Sequence, residues 1–200
     1  MFERVHSPEE HLVFEQLWGD FCEERNLVFI ERCLQPERFL LVGEGGKYIG
    51  TVECARYSSP EESNSEFFYP FSKNAAFMEI QHKKVYEIGK LSINRQYRGR
   101  GHFKRLAAIL FIHALETRAD WYVAAVTKRM YMYLRFLGFR IEPIDEVFSF
   151  TGQLTGVPVR INASQAIRHM YSLKEFRDVI LTDTRAQQLL KENSRGLLLG

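Results

Sequence analysis

The chain has 200 residues and a formal net charge of +2, with 46% hydrophobic and 26% charged side chains. That length suits one domain with a modest extension, and the composition is that of an ordinary globular protein. The small net charge excludes a polycation that seeks nucleic acid or membrane with its whole surface, so any attraction for an anion must come from local clustering.

In chain order, Ser7-Pro8-Glu9-Glu10 reads as a helix start, with a capping serine, a proline at the first helical position and a glutamate that closes the capping box. Leu12, Val13, Leu17, Phe21 and Cys22 follow at helical spacing, and the helix is expected to end near Asn26. Residues 38–42 read as a strand, Gly45-Gly46 as a turn, and 48–57 as the returning strand. The aromatic stretch 67–81 has no clear period; a short helix lining a pocket is one reading. Residues 85–93 read as a strand, 102–117 as a helix, 121–126 as a short strand, and 128–137 as a helix stopped by Gly138. The segment 148–161 reads as a hairpin turning at Thr155-Gly156, and Ser172-Leu173-Lys174-Glu175 as a second capping box before a C-terminal helix. Cys22, Cys33 and Cys54 are odd in number without C-x-x-C spacing, which points to buried free thiols. No His, Cys or carboxylate spacing suggests a metal.

The chemistry concentrates in Gln96-Tyr97-Arg98-Gly99-Arg100-Gly101. A strand delivers the chain, two glycines permit backbone angles that other residues resist, and a helix starts at once. The first amides of that helix lack internal partners and carry the positive end of its dipole, a favourable seat for a phosphate. Arg95, Arg98, Arg100, Lys104 and Arg105 add positive charge with no acid among them. The loop is not a Walker motif, since no Lys-Ser or Lys-Thr follows the second glycine, and it lacks the third glycine of a dinucleotide loop. A surface turn with solvated arginines is the plain alternative.

This loop resembles the Gln/Arg-x-x-Gly-x-Gly/Ala loop of the GNAT acyltransferases, and Leu137-Gly138-Phe139 resembles the Gly-Phe that ends a later helix of that fold. The resemblance implies an α/β (α+β) fold with a central mixed, mostly antiparallel sheet flanked by helices, its strands splayed at the cofactor site. It implies a domain over residues 1–163, with 164–200 as a helical extension packed on it. It implies an N-acyltransferase that moves an acyl group from acetyl-CoA, another acyl-CoA or the phosphopantetheine of acyl carrier protein to a small-molecule amine. The donor-binding residues would be Leu91, Ser92, Ile93, Gln96, Arg98, Gly99, Arg100, Gly101, His102 and Phe103.

Residues 85–93 are also similar to the Glu-x-Ser-Arg-Leu strand of acyl-homoserine-lactone and long-chain N-acyl amino acid synthases, with Gly89 in place of serine and Lys90 in place of arginine. Phe21 to Leu27 and Gly152 to Arg160 resemble the same group. Glu87 is the candidate base; its structural alternative is an ion pair with Lys90 or Arg56. Strand alternation puts Glu87, Gly89 and Leu91 on one face and Tyr86, Ile88 and Lys90 on the other. Many GNAT enzymes carry an acid tyrosine where this chain has Leu134, so Tyr131 and Tyr133 are the hydroxyls to consider; packing is the alternative for each.

The aromatics Phe67, Phe68, Tyr69, Phe71 and Phe77 suit a core, or else an acyl pocket. Arg98, Arg100, Lys104, Arg105, Lys128 and Arg129 could rim the entrance for an acidic carrier protein. Expected partners are the amine and such a carrier; neither nucleic acid nor membrane is expected, and a homodimer is left open. No apolar run approaches the ~20 residues that span a bilayer, and the first residues lack the apolar stretch of a signal peptide, so a cytoplasmic location is expected. A non-catalytic acyl-CoA sensor is the alternative function.

Overall fold

A computed structural model describes residues 2–151 and 154–193. In chain order the strands are β1 (Phe2–Arg4), β2 (Glu37–Val42), β3 (Tyr48–Arg56), β4 (Val85–Ile93), β5 (Trp121–Thr127), β6 (Glu142–Pro143), β7 (Phe148–Ser149) and β8 (Thr155–Asn162). The helices are α1 (Pro8–Arg25), α2 (Asn64–Phe68), α3 (Ala75–Met78), α4 (Phe103–Thr117), α5 (Lys128–Phe136), α6 (Ala163–Ser172), α7 (Lys174–Leu181) and α8 (Thr184–Asn193).

The strands form one sheet in the order β1-β2-β3-β4-β5-β8-β6, with β7 also paired to β8. All pairings are antiparallel except β4 with β5, so the expected mixed, mostly antiparallel sheet flanked by helices is what the chain forms. The main core lies on the α4 face, where Ala107, Phe111 and Leu115 meet Phe139, Ile167, Phe176, Ile180 and Leu189. Helices α6, α7 and α8 all pack on α4. On the other face α1 lies against β2, β3 and β4, and α2 against β4 and β5.

Local chemistry explains most boundaries. Ser7 caps α1 as expected, accepting from the Glu10 amide while Glu10 bonds back to the Ser7 amide. Asn26 ends that helix in the left-handed region, φ 52°. Gly138, φ +84°, stops α5. Two short pairings, β1 and β6, carry too few residues to show a period and were not visible in the sequence.

Two expectations are corrected. The Ser172 hydroxyl donates to the His169 carbonyl and closes α6, while Leu173 starts α7 without a side-chain cap, so no capping box forms there. A hairpin does join β7 to β8, but Ser149 already faces Thr155 and Phe148 faces Gly156. The turn therefore precedes Thr155, and the aromatic rings explain the register: a Cβ on Gly156 would lie 2.4 Å from Phe150 and 2.6 Å from Phe148.

Candidate active site

The site is built on β4. Its pairing with β5 stops at Glu87 opposite Val123, although β4 continues to Ile93 and β5 to Thr127. Beyond that point the neighbour of β5 is β8 alone, and β4 is held by β3. The cause of the divergence is a bulge. On β3 one residue separates Thr51 from Glu53, whereas on β4 two residues, Lys90 and Leu91, separate their partners Ser92 and Gly89. An extra residue bends its strand and sharpens the twist. Lys90 takes a left-handed backbone, φ 47°. Its carbonyl, turned out of the ladder, accepts from the Thr51 hydroxyl at 2.6 Å, and Thr51 lies 2.8 Å from the Ser92 hydroxyl.

The bulge also corrects the face assignment. Simple alternation sends Lys90 away from Glu87; the added residue brings it to the face that carries Glu53. There the Lys90 Nζ meets Glu53 at 2.9 Å and Glu31 at 2.6 Å. Arg38 completes the cluster, with its Nε 2.9 Å from Glu53 and its Nη2 on Glu31. Asn64 donates to the other Glu53 oxygen at 3.0 Å. Arg38, Glu53 and Lys90 are all buried.

Glu87, 3% exposed, is not part of that ion-pair cluster. Lys90 and Arg56, the partners of the ion-pair alternative, bind elsewhere, Arg56 through the Lys83 carbonyl and the Tyr86 ring. Instead one Glu87 oxygen accepts from the Ser63 hydroxyl at 3.0 Å and the Ser65 amide at 2.8 Å, at the start of α2, and the other accepts from the Cys33 thiol at 3.1 Å. Burial, and then the Glu87 carboxylate beside it, pushes the Cys33 thiol well above the ordinary range, so it stays a neutral donor. The cysteines are all buried and free, as expected.

After Ile93 comes the glycine loop. Asn94 caps a single 3₁₀ turn, Arg95 to Tyr97, through the Gln96 amide. Gly99 and Gly101 then adopt φ +78° and +79°, and among the described residues, chain neighbours aside, no atom lies within 4 Å of where a Cβ would sit on either. The amides of Gly99, Arg100, Gly101, His102 and Phe103 make no hydrogen bond to a protein acceptor among the described residues. The loop is fixed from below. The Arg98 guanidinium grips both Glu24 oxygens at 2.6 and 2.7 Å, its Nε reaches the Ile93 carbonyl at 2.7 Å, and its face covers the Phe21 ring.

Three of the six residues of the basic rim are held by the chain itself. Arg98 is tied to Glu24, Lys104 to Glu175, and Arg105 to the Val42 carbonyl. For Arg98 and Lys104 an acid distant in sequence returns to pair with the cation, which local sequence cannot show. Arg100 rests on Tyr97, and Lys128 and Arg129 stand exposed at the start of α5.

Tyr131 packs beside Ile88 and Val126 on the cluster of Ala124, Val157 and Val159, which places it on the diverging strands. Tyr133 lies against Phe103, ring centres 5.3 Å apart. The aromatic stretch divides: Phe71 and Phe77 are buried core, Phe68 packs on Phe150, Tyr69 on Phe148, and Phe67 is exposed. His113 is sealed in the core with its Nδ1 2.6 Å from the Tyr122 hydroxyl. Sequence reasoning missed Arg38, Glu53 and Ser63. The only signal for the first two was a pair of charges inside otherwise apolar strands.

A sheet that splays at a bulged strand, followed by a glycine loop and a helix start with unpartnered amides, offers a phosphate a seat beside an open strand edge. The chain belongs to the Acetyltransferase (GNAT) family, whose model matches residues 6–139, and is a GNAT-type acyltransferase. Among solved structures, FeeM, an N-acyl amino acid synthase from uncultured soil microbes, is similar with a TM-score of 0.65 at 15% identity, over 83% of this chain and 92% of that one. The CoA-dependent acyl-homoserine lactone synthase BjaI, with SAM and isopentyl-CoA, gives 0.64 at 13% identity, over 90% and 99%. Escherichia coli ElaA gives 0.58 at 13% identity, over 81% and 99%. At these identities the likeness is one of fold. No curated protein sequence matches the chain. Among the described residues no helix is long and apolar enough to cross a membrane, and no group of three or more His, Cys, Asp or Glu residues is placed to hold a metal.

Proposed function

We propose that the protein transfers an acyl group from an acyl-CoA, or from the phosphopantetheine of an acyl carrier protein, to an amine. The observation that carries this reading is the run of unpartnered amides from Gly99 to Phe103, beside the gap that opens beyond Glu87. The donor's phosphates sit on those amides, with Gln96 and Arg100 at their edge and Arg98 as the tether that holds the loop in shape. The pantetheine arm runs along the unpaired edge of β4 at Leu91, Ser92 and Ile93, as an added strand would.

Glu87, at the apex of the gap, takes a proton from the attacking amine. The nitrogen then forms its bond to the thioester carbon, and the carbon–sulfur bond breaks. The thiolate leaves as the anion and is protonated by solvent, or takes the Tyr131 hydroxyl proton, which solvent restores; either way the products are an amide and a free thiol. Tyr131 is chosen over Tyr133 because it packs on the diverging strands. Tyr131→Phe should lower kcat by up to about 100-fold with an alkyl thioester, within the ordinary reach of acid catalysis. An aryl thioester, whose thiolate needs no proton, should erase the difference. Tyr133→Phe should leave kcat as it was. Equal rates for Tyr131→Phe and the parent on an alkyl thioester would remove the acid role.

The test of the whole reading is donor binding. Coenzyme A should raise the melting temperature of the parent. Gly101→Val should lose that effect while staying folded, because a Cβ there meets no described atom within 4 Å outside its chain neighbours, while the substitution disfavours the φ of +79° that aligns the amides. Unchanged binding by Gly101→Val would overturn the reading. Leu134, in place of the acid tyrosine of many relatives, favours a second reading as an acyl-CoA sensor; bound donor without transfer to any of a broad amine panel would select it.

A further inference from the structure

The acceptor side of the site is held by the chain itself. Residues 27–36, between α1 and β2, carry no regular secondary structure. Val28, Phe29 and Leu34 in this segment are 54%, 42% and 74% exposed, Leu27 and Ile30 are half-buried, and the segment is also tied by the Arg32 amide, which donates to Asn64 at 2.8 Å. It reaches the floor of the site with two side chains two positions apart, Glu31 and Cys33. The Glu31 carboxylate bridges Arg38 and Lys90, and the Cys33 thiol donates to Glu87.

Charge accounting shows why Glu31 is held there. Arg38 and Lys90 are two buried cations, and Glu53 is the one buried carboxylate they share. A buried charge needs a counterion. Glu15 lies 3.5 Å from Arg38 but is half exposed, and the His11 Nδ1 is 3.3 Å away. The Phe14 and Phe29 rings offer only their faces to Arg38 and Lys90. Glu31 therefore supplies the second negative charge, from a side chain that is itself 38% exposed. Between these two anchor points lies Gly89, where a Cβ would meet nothing within 4 Å.

We propose that Glu31 and Cys33 are internal stand-ins for the acyl acceptor. On this view the acceptor is an amino carboxylate: its carboxylate replaces Glu31 on Arg38 and Lys90, and its amine replaces Cys33 as the donor to Glu87. The exchange puts carboxylate for carboxylate on the two cations and sets the acceptor's ammonium, in place of the neutral Cys33 thiol, against the Glu87 carboxylate. It frees the Glu87 oxygen that must receive the amine proton, so one displacement both binds the acceptor and releases the base. The 27–36 segment thereby competes with substrate, and a cationic or neutral amine without a carboxylate cannot displace Glu31. This inference rests on the acyl-transfer reading above.

The test uses the full chain, its Glu31→Gln and Cys33→Ala variants, and an acyl-CoA series from acetyl to dodecanoyl. Acceptors are the common L-amino acids, straight-chain ω-amino acids, and the carboxamide of each. A segment that occupies the site nine-tenths of the time raises the apparent KM about tenfold, so Glu31→Gln should lower the KM of amino carboxylates by about that factor with kcat unchanged. The carboxamides should be poorer acceptors, and their KM should not move. Cys33→Ala should lower KM in the same direction, because the segment loses its hold on Glu87. A KM that falls equally for acids and carboxamides, or does not fall, overturns the inference. If no acceptor is turned over, melting temperatures decide: amino carboxylates should stabilise Glu31→Gln more than the parent, and equal stabilisation or none overturns the inference. A Glu31→Gln chain too unstable to fold, and not restored by acetate, would make Glu31 a structural counterion and also overturn it. Coenzyme A is the separate arm: failure to raise the melting temperature of parent or variants counts against donor binding, not against the stand-in alone.

Discussion

Replacing Glu53 by alanine is expected to remove about 3–5 kcal/mol of folding stability, the usual cost of leaving buried charges without their partner. Glu53 is 2% exposed and holds Arg38 and Lys90 on one oxygen while Asn64 donates to the other. Without it two cations face each other beneath the bulge, and Glu31 alone cannot neutralise both. A domain of this size has about 5–15 kcal/mol to lose, so the variant should sit near the edge of folding. The measurement is a urea unfolding curve, with the midpoint falling and the slope unchanged. A second change, Lys90→Met, made in the Glu53→Ala background, should recover part of the loss, because an apolar side chain of similar length removes one stranded charge. A Glu53→Ala chain within about 1 kcal/mol of the parent, as an exposed pair would give, would show that water reaches the cluster.

The same cluster shows where sequence reasoning ends. Helix α1, the loop at Gly99 and Gly101, and the stop at Gly138 were legible because each depends on neighbours within a few positions: a cap, a missing Cβ, an apolar period. The mixed, mostly antiparallel sheet came only through the family resemblance, since pairing order is not written in periodicity. The bulge was invisible. Nothing in Ile88-Gly89-Lys90-Leu91 marks an extra residue, because a bulge is a relation between two strands, and it is Thr51 and Glu53 on β3 that define it. One unseen residue then reversed the face of Lys90, which pairs there with Glu53 and Glu31 and not with Glu87. The pairing of two rim cations was hidden for a related reason. Glu24 and Glu175 lie 74 and 71 positions from Arg98 and Lys104, and only folding brings them together.

Glu87→Gln is expected to lower kcat by about 10²–10⁴, the range for loss of a general base, while coenzyme A binding is retained. The structure makes this substitution a clean one. The glutamine oxygen can still accept from the Ser63 hydroxyl and the Ser65 amide, so the start of α2 keeps its anchor. The glutamine nitrogen then faces the Cys33 sulfur, a weak acceptor, in place of the thiol donor bond. Stability should therefore fall by only about 1–3 kcal/mol, the cost of one imperfectly satisfied buried group. Glu87→Ala is the structural control: it strands Ser63, Ser65 and Cys33 together and should unfold at lower urea than Glu87→Gln. The two roles separate in how activity tracks stability. If Glu87 only anchors α2, activity follows the folded fraction, and Glu87→Gln at a temperature where it is fully folded keeps most of its kcat. If Glu87 is the base, the fully folded Glu87→Gln chain binds donor and acceptor and does not turn them over, and Ser63→Ala, which weakens the anchor but leaves the carboxylate, stays active.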